Sequence, residues 1–362
     1  MFKTFLSWAI LGVAATVGYA AEPAASGKSN ACGKPKALVG AYYFDGWTGD
    51  VAKLLKTKFA DRRPVWGWKD DTMEIMRKQI AYCATHGIGF WAFDWYYPEG
   101  SNKTTPLNNA LGLYLKSPNC DRLQFCLMVA NHSGFNIGPQ DWDACCRIWI
   151  ELFQQPTHLK LDGRPLIIFF SPGGLQNAFG GVDGVRKAFD TLQAKAKASG
   201  LPGVAIAACT CPYGDLQYLA RSGYTLLTGY NYSQGFMNGG SATPFRELMD
   251  TSLKKFDDFA RISPLPYVPT LTIGWDRRPW ELDTLPPEKQ SVWYPDRTPK
   301  LVEEFVSMGI KWLDAHPDKA TPQRLLLLYA WNEIGEGGYL TPTKKDGMAY
   351  LKAVQHAVCM PR

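Results

Sequence analysis

The sequence predicts an α/β protein, a single (β/α)8 TIM barrel with long βα loops, and three observations carry that expectation. From Ala37 onward, short apolar runs of strand length alternate with longer amphipathic stretches of helical length, and the alternation repeats eight times. Several runs, LIIFF and LLLLY among them, are apolar on both faces, as strands of a parallel sheet covered by helices are. The first run ends in YYFDGW rather than in a glycine-rich phosphate loop, which disfavours the competing doubly wound open sheet.

Taken in order, the strand candidates are 37–44, 89–95, 123–130, 165–170, 204–209, 225–230, 267–273 and 324–331. Helix candidates lie between and after them at 72–85, 142–153, 185–199, 244–260, 299–315 and 347–358. A barrel of this kind needs about 250 residues. The surplus of the 362 residues is therefore expected in loops. The proline-rich span 264–299 reads as one such loop inside the same domain, because it holds the strand-like YVPTLTI and the rings of Trp275, Trp280 and Trp293.

Ahead of the barrel, Lys3 precedes an apolar run at 5–17 that ends in small residues around Gly18 and Ala20, the pattern of a secretory signal. Its roughly 13 apolar residues fall short of the ~20 that span a bilayer. The expected organisation is a signal peptide at 1–20, a flexible segment at 21–35 and a catalytic domain at 36–362. That implies a secreted or periplasmic protein with no stable membrane insertion after signal cleavage. An uncleaved anchor helix is the alternative.

Composition narrows the partners. With 20% charged and 46% hydrophobic residues, disorder is excluded for most of the chain. Lys and Arg exceed Asp and Glu by 39 to 33, but the charges are scattered rather than gathered in a stripe, so no nucleic-acid partner is expected. A monomer is expected. Aromatics make up 13% of the chain, and many fall in loops, where sugar rings could stack on them. The nine cysteines are too dispersed for a zinc knuckle, with only Cys209 and Cys211 spaced as a chelating pair, so no metal site is assigned. Export permits disulfides, and an odd count leaves at least one thiol unpaired. Cys32 before the first strand and Cys359 after the last helix would meet at the closing seam, which makes them the first pair expected.

Barrel enzymes carry their reactive groups where strands end and βα loops begin. Here those positions are polar and aromatic. The first strand ends in Tyr42, Tyr43, Phe44 and Asp45 before Trp47, the second in Asp94, Trp95, Tyr96 and Tyr97, and the third in Asn131 and His132. The sixth ends in Tyr230, Asn231 and Tyr232, the seventh in Trp275, Asp276 and Arg277, and the eighth in WNEIGEG, 331–337. That last motif sets Glu333 and Glu336 three apart where an apolar strand stops. Glycosidic cleavage wants such a pair, one carboxyl protonated for the leaving oxygen and the other ionised. Gly335, Gly337 and Gly338 permit the turn that brings the two acids together.

The expected catalytic pair is therefore Glu333 and Glu336. Stacking is assigned to Tyr43, Trp47, Trp95, Tyr96 and Trp275, and hydroxyl contacts to Asp94, Asn131, Asn231, Asp276 and Asn332. The bland readings stand beside these. The glutamates could be solvated loop acids, Asp94 could cap a turn or hold a glutamate in place, Asn131 and His132 could be structural, and Asp276 with Arg277 could brace a loop. His86, His158 and His316 read as surface residues. The absence of a Gly-x-Ser-x-Gly elbow weakens a serine esterase reading.

Four segments, GAYYFDGW (40–47), QIAYCATHGIGFWAFDWYY (79–97), the GWD of GWDRRPW (274–280) and WNEIGEGGYLTP (331–342), resemble the WbsX-like proteins related to glycoside hydrolase family 99. The resemblance covers about 40–351. It implies a (β/α)8 barrel without metal or organic cofactor, acting on α-mannosides with retention. The first glutamate of the motif, Glu333 here, would deprotonate the sugar's own 2-hydroxyl to give a 1,2-anhydro intermediate, and Glu336 would act as acid and then base. Two positions depart from the pattern. Ile334 and Gly335 stand where family 99 has an aromatic residue and a histidine, and Trp280 replaces the arginine that often closes the WbsX-like GWD segment. The sequence thus points to a secreted glycoside hydrolase whose partner is a polysaccharide or oligosaccharide. A glycosyltransferase and a non-catalytic carbohydrate-binding protein are the alternatives. WbsX-like proteins have been labelled transferases, but export argues against that label because activated nucleotide sugars are scarce outside the cytoplasm.

Overall fold

The structure, a computed structural model, describes residues 35–100, 103–233 and 240–359. The expected signal peptide 1–20 and residues 21–34, Cys32 included, lie outside them. Eight strands run parallel in one sheet: β1 Leu38–Tyr43, β2 Ile88–Trp95, β3 Gln124–Val129, β4 Arg164–Phe169, β5 Ala205–Cys209, β6 Leu226–Thr228, β7 Thr270–Thr272 and β8 Leu325–Tyr329. They pair in the order β6-β5-β4-β3-β2-β1-β8-β7, with β1 bonded to both β2 and β8. A helix follows each strand: α1 Met73–Thr85, α2 Asn109–Lys116, α3 Pro139–Phe153, α4 Val182–Ala198, α5 Gln217–Arg221, α6 Phe245–Ile262, α7 Pro299–Ala315 and α8 Ala349–Val358. The architecture is the expected (β/α)8 barrel.

The remaining seam, between β6 and β7, closes differently. Pro266 and Pro269 have no N–H to give a ladder. One parallel bridge, Leu227 to Tyr267, stands in, with Leu227 N–H donating to Pro266 O at 2.9 Å and Val268 N–H to Leu227 O at 2.8 Å. Side chains do the rest. The Thr228 and Thr270 hydroxyls lie 3.0 Å apart, and Thr270 Oγ1 donates to Gly229 O at 2.8 Å.

Helix starts follow their local chemistry. Thr72 accepts from Ile75 N and Thr298 from Leu301 N, both N-caps, and Pro299 and Pro139 occupy first-turn positions that need no N–H. The proline explains why α3 begins before the 142 expected from its apolar spacing. Five helices lay outside the expected set, α2, α5 and the short Lys53–Lys56, Pro172–Phe179 and Arg278–Glu281, along with a short hairpin that pairs Lys160–Leu161 with Arg164 and Pro165. Four to eight residues give periodicity little to work on.

Because successive strand residues face opposite sides, each strand divides its rings between the barrel interior and the helix layer. Tyr42 points in, and its hydroxyl crosses the barrel to donate to Gly229 O at 2.7 Å. Tyr43 points out and packs on Trp91 and Phe93, both at 4.9 Å between ring centroids. On β2, Asp94 points in while Trp95 points out against Trp149 of α3. The interior is thus carried to the mouth by alternate residues, and the site begins there.

Cys359 is disulfide-bonded, and Cys83, Cys120, Cys126, Cys145, Cys146, Cys209 and Cys211 are free. His158 is not a surface residue as its sequence context suggested. It is buried between Phe125 and Phe153, and burial pushes its pKa down to about 3, so the ring stays neutral. Among the described residues, no helix is long and apolar enough to cross a membrane, and no three His, Cys, Asp or Glu side chains are grouped to hold a metal ion.

Candidate active site

The motif after β8 turns back on itself. Asn332–Glu333 (β9) pairs antiparallel with Gly338–Tyr339 (β10), so Glu333 sits opposite Gly338. The turn between them is tight, with Glu336 N–H donating to Glu333 O at 3.2 Å and Gly337 N–H to Ile334 O at 3.3 Å. Gly337 has φ +80°, and a Cβ there would come 2.7 Å from Asp276 N, so both conformation and space require glycine. Both glutamates are thereby turned toward the barrel mouth.

Two phenols receive them. Tyr230, just past β6, places its hydroxyl 2.7 Å from Glu333 Oε1 and 2.8 Å from Asp94 Oδ2. Tyr329, the last residue of β8, donates to Glu336 Oε2. The two rings meet edge to face at 4.9 Å, so the carboxyl groups they hold are neighbours. Arg277 completes the cluster, with Nε 3.2 Å from Glu336 Oε1 and Nη1 3.6 Å from Glu281 Oε1. The buried Glu281 is anchored by both the N–H and the hydroxyl of Ser291.

Burial dominates the electrostatics. It raises Glu333 well above the usual carboxylate range, helped by the charges of Glu336 and Asp94, while Tyr230 and Arg277 pull the other way. Asp94 is raised well up for the same reason, with Tyr230 opposing and Glu336 adding. Glu336 is also raised by burial, against the hydrogen bond from Tyr329 and the charge of Arg277. Tyr230 has one proton and two carboxyl neighbours, so it can donate to only one of them. The other oxygen contact requires a protonated acid that donates to the phenol. One of the two carboxyls therefore carries a proton, and the three groups share it across the Tyr230 hydroxyl.

The remaining expected residues divide. Tyr96 stands beside the acids, whose charges help burial raise its phenol. Trp275 is buried, with its ring 6.0 Å from Tyr329 and the guanidinium of Arg277 5.7 Å from its centroid. Asn231 is half-buried and accepts from Ser233 Oγ at 3.2 Å.

Six of the expected contact residues have structural partners. Tyr43 and Trp95 lie on the outer side of the sheet and offer no face to the mouth. Trp47 is buried among loop rings, and its indole N–H donates to Asn332 O at 2.8 Å. Asn332 itself clamps Phe44, its Oδ1 accepting from Phe44 N at 2.8 Å and its Nδ2 donating to Phe44 O at 2.7 Å. Asn131 clamps Ser171 the same way, at 2.9 and 2.7 Å. Asp276 is paired with Arg62 and Arg278, which braces its loop. Tyr230, Tyr329 and Arg277, by contrast, were absent from the expected set. The signal for the phenols was a tyrosine closing an apolar strand.

A cavity of about 590 Å³ adjoins this cluster, sharing Trp275, Asp276 and Gly337 with its wall and lined further by Phe59, Arg62 and Arg297. None of Asp94, Tyr230, Glu333 or Glu336 lines it.

The chain is similar in fold to several solved structures. A glycoside hydrolase-like protein superposes over 92% of this chain and 96% of its own, with TM-score 0.62 at 12% identity. The GH99 endo-alpha-mannosidase from Bacteroides thetaiotaomicron superposes over 88% and 96%, with TM-score 0.59 at 14% identity. Its complex with BIS-TRIS-propane gives 89%, 96% and 0.58, again at 14% identity. No curated protein sequence matches. A family profile described as Glycosyltransferase WbsX matches residues 68–354, most of the barrel, and on that match the chain belongs to the WbsX family.

Proposed function

We propose that the chain is a secreted glycoside hydrolase that cleaves α-mannosidic bonds in a polysaccharide or glycan with retention, using Glu333 and Glu336. The observation that carries this reading is the pair of adjacent carboxyls held by two touching phenols, with the Arg277 guanidinium against Glu336. The fold shared with an endo-alpha-mannosidase supports the choice of sugar.

In this reading the charged Glu333 takes the proton of the 2-hydroxyl as O2 attacks C1 from behind. Glu336, whose pKa burial raises against Tyr329 and Arg277, gives its proton to the departing oxygen. The product is a 1,2-anhydro sugar. Water then attacks C1, Glu336 takes a proton from it, and Glu333 returns its proton to O2. The two inversions give net retention, and the carboxyls end as they began. Arg277 keeps Glu336 from becoming too weak an acid to donate, and Tyr230 keeps Glu333 from becoming too strongly protonated to accept.

Glu333→Gln and Glu336→Gln are each expected to lower reducing-end release from yeast α-mannan by about 10³ while mannan binding persists, since general acid–base catalysis supplies about 10² to 10⁴. Unchanged turnover in both variants would remove the assignment. The family description favours a second reading, glycosyl transfer. A protein that is inert toward mannan alone but forms product with a nucleotide-activated sugar donor would decide for it.

A further inference from the structure

Trp280 is the most exposed tryptophan among the described residues, at 38%, and it lies beside the acid pair rather than on a remote surface. Its placement is built. The short helix Arg278–Glu281 carries it, its N–H donates to Arg277 O at 2.8 Å, and its carbonyl accepts from Thr284 Oγ1. The indole lies across Gly335, in the turn between Glu333 and Glu336. A Cβ at position 335 would stand 2.2 Å from Cζ2 and 2.4 Å from Nε1 of that ring, so any other residue there displaces it. The same segment that aims Arg277 at Glu336 therefore lays an indole over the turn that presents both acids.

A ring seated on backbone and partly exposed offers a flat apolar surface with little rearrangement on binding, which suits the C–H face of a sugar. We propose that Trp280, seated on Gly335, is the stacking platform of a subsite for a neutral pyranose next to the Glu333–Glu336 pair. The inference rests on reading those acids as a glycan-cleaving pair, and it adds the recognition surface that the acids themselves do not supply.

The test uses yeast mannan, a neutral α-mannoside polymer, on the full chain carrying Glu336→Gln so that the polymer is held uncleaved. Mannan is expected to shift the tryptophan emission. Trp280→Ala should abolish the shift and weaken binding about tenfold, the scale of one aromatic contact. Trp280→Phe should lose the shift but keep most of the affinity. Gly335→Ala should weaken binding as Trp280→Ala does although the indole is still present, because its methyl drives the ring away. Wild-type affinity in the Trp280→Ala protein, or no emission change when the unsubstituted platform is saturated with mannan, overturns the proposal. With Glu336 restored, mannan held through Trp280 but not cleaved leaves the platform standing and removes the hydrolase reading. Mannan cleaved with an unchanged KM by Trp280→Ala does the reverse.

Discussion

Replacing Tyr230 by phenylalanine deletes one hydroxyl and is expected to move the acidic limb of the activity profile upward. That hydroxyl lies 2.7 Å from Glu333 and 2.8 Å from Asp94, and its hydrogen bond lowers the pKa of Glu333. A hydrogen bond to a charged group contributes about 1.5–3 kcal/mol. At 1.36 kcal/mol per pKa unit, its loss raises Glu333 by about 1–2 units. Glu333 must be ionised to take a proton, so the limb of kcat/KM moves by that amount toward higher pH, and rates below it fall about 10- to 100-fold. Reducing-end release from mannan between about pH 4 and 9 measures this. Asp94→Asn supplies the control. If Asp94 is the protonated partner, the amide replaces it as donor to the phenol without any change of charge, and the limb stays within about half a unit. An unmoved limb in Tyr230→Phe refutes the argument. So does a limb displaced downward by a unit or more in Asp94→Asn, because that would mean a negative charge had been removed from beside Glu333.

Three further outcomes follow from the same geometry. Arg277 lowers the pKa of Glu336, so Arg277→Gln is expected to raise the basic limb of the profile by about one unit, and a pH series that moves it down contradicts the pairing. Asp45 is buried with its pKa raised to about 6, so its stabilising protonated form is present below the unfolded pKa near 4 and lost as pH rises through about 6. The loss of stability in urea unfolding across that window should be smaller in Asp45→Asn, which still accepts from Ala110 N, than in the wild type by up to about 3 kcal/mol. Asn332→Ala strands the N–H and C=O of half-buried Phe44 and is expected to cost about 2 kcal/mol in urea unfolding. A cost below about 0.5 kcal/mol would mean that water replaces the clamp.

The barrel was legible because its strands announce themselves by length and by apolar faces on both sides, and LLLLY and LIIFF fall within β8 and across the end of β4. The acid pair was legible because two glutamates in a glycine-rich turn after such a strand have few structural uses. What alternation alone left open was which rings face in. Tyr42 and Tyr43 are chemically alike and adjacent, and only the phase of the pleat sends one across the barrel and the other into the helix layer. Trp95 failed for the same reason, one residue beyond an inward Asp94. The link between Trp280 and Gly335 was also out of reach. Both positions stood out singly, but their contact depends on the βα loop after β7 folding back onto the loop after β8, which no local pattern records.

The asparagines show why polar strand ends are a poor guide to sugar contacts. Each βα loop leaves the sheet with a backbone N–H and C=O that the ladder no longer pairs, and in a closed mouth those groups are shielded from water. A primary amide offers one acceptor and one donor at the spacing of a strand partner, so it can replace the missing neighbour outright. Asn332 does this for Phe44, Asn131 for Ser171 and Asn108 for Tyr96, with N···O distances between 2.7 and 2.9 Å. With both ends of each amide engaged by the chain, these three side chains have little left to offer a hydroxyl. The groups that retain unfilled capacity are those raised in pKa or left partly wet: the carboxyls of Asp94, Glu333 and Glu336, the phenols beside them, and the indole of Trp280. In the proposed reading chemistry falls to these groups, on loops that the asparagines hold in place.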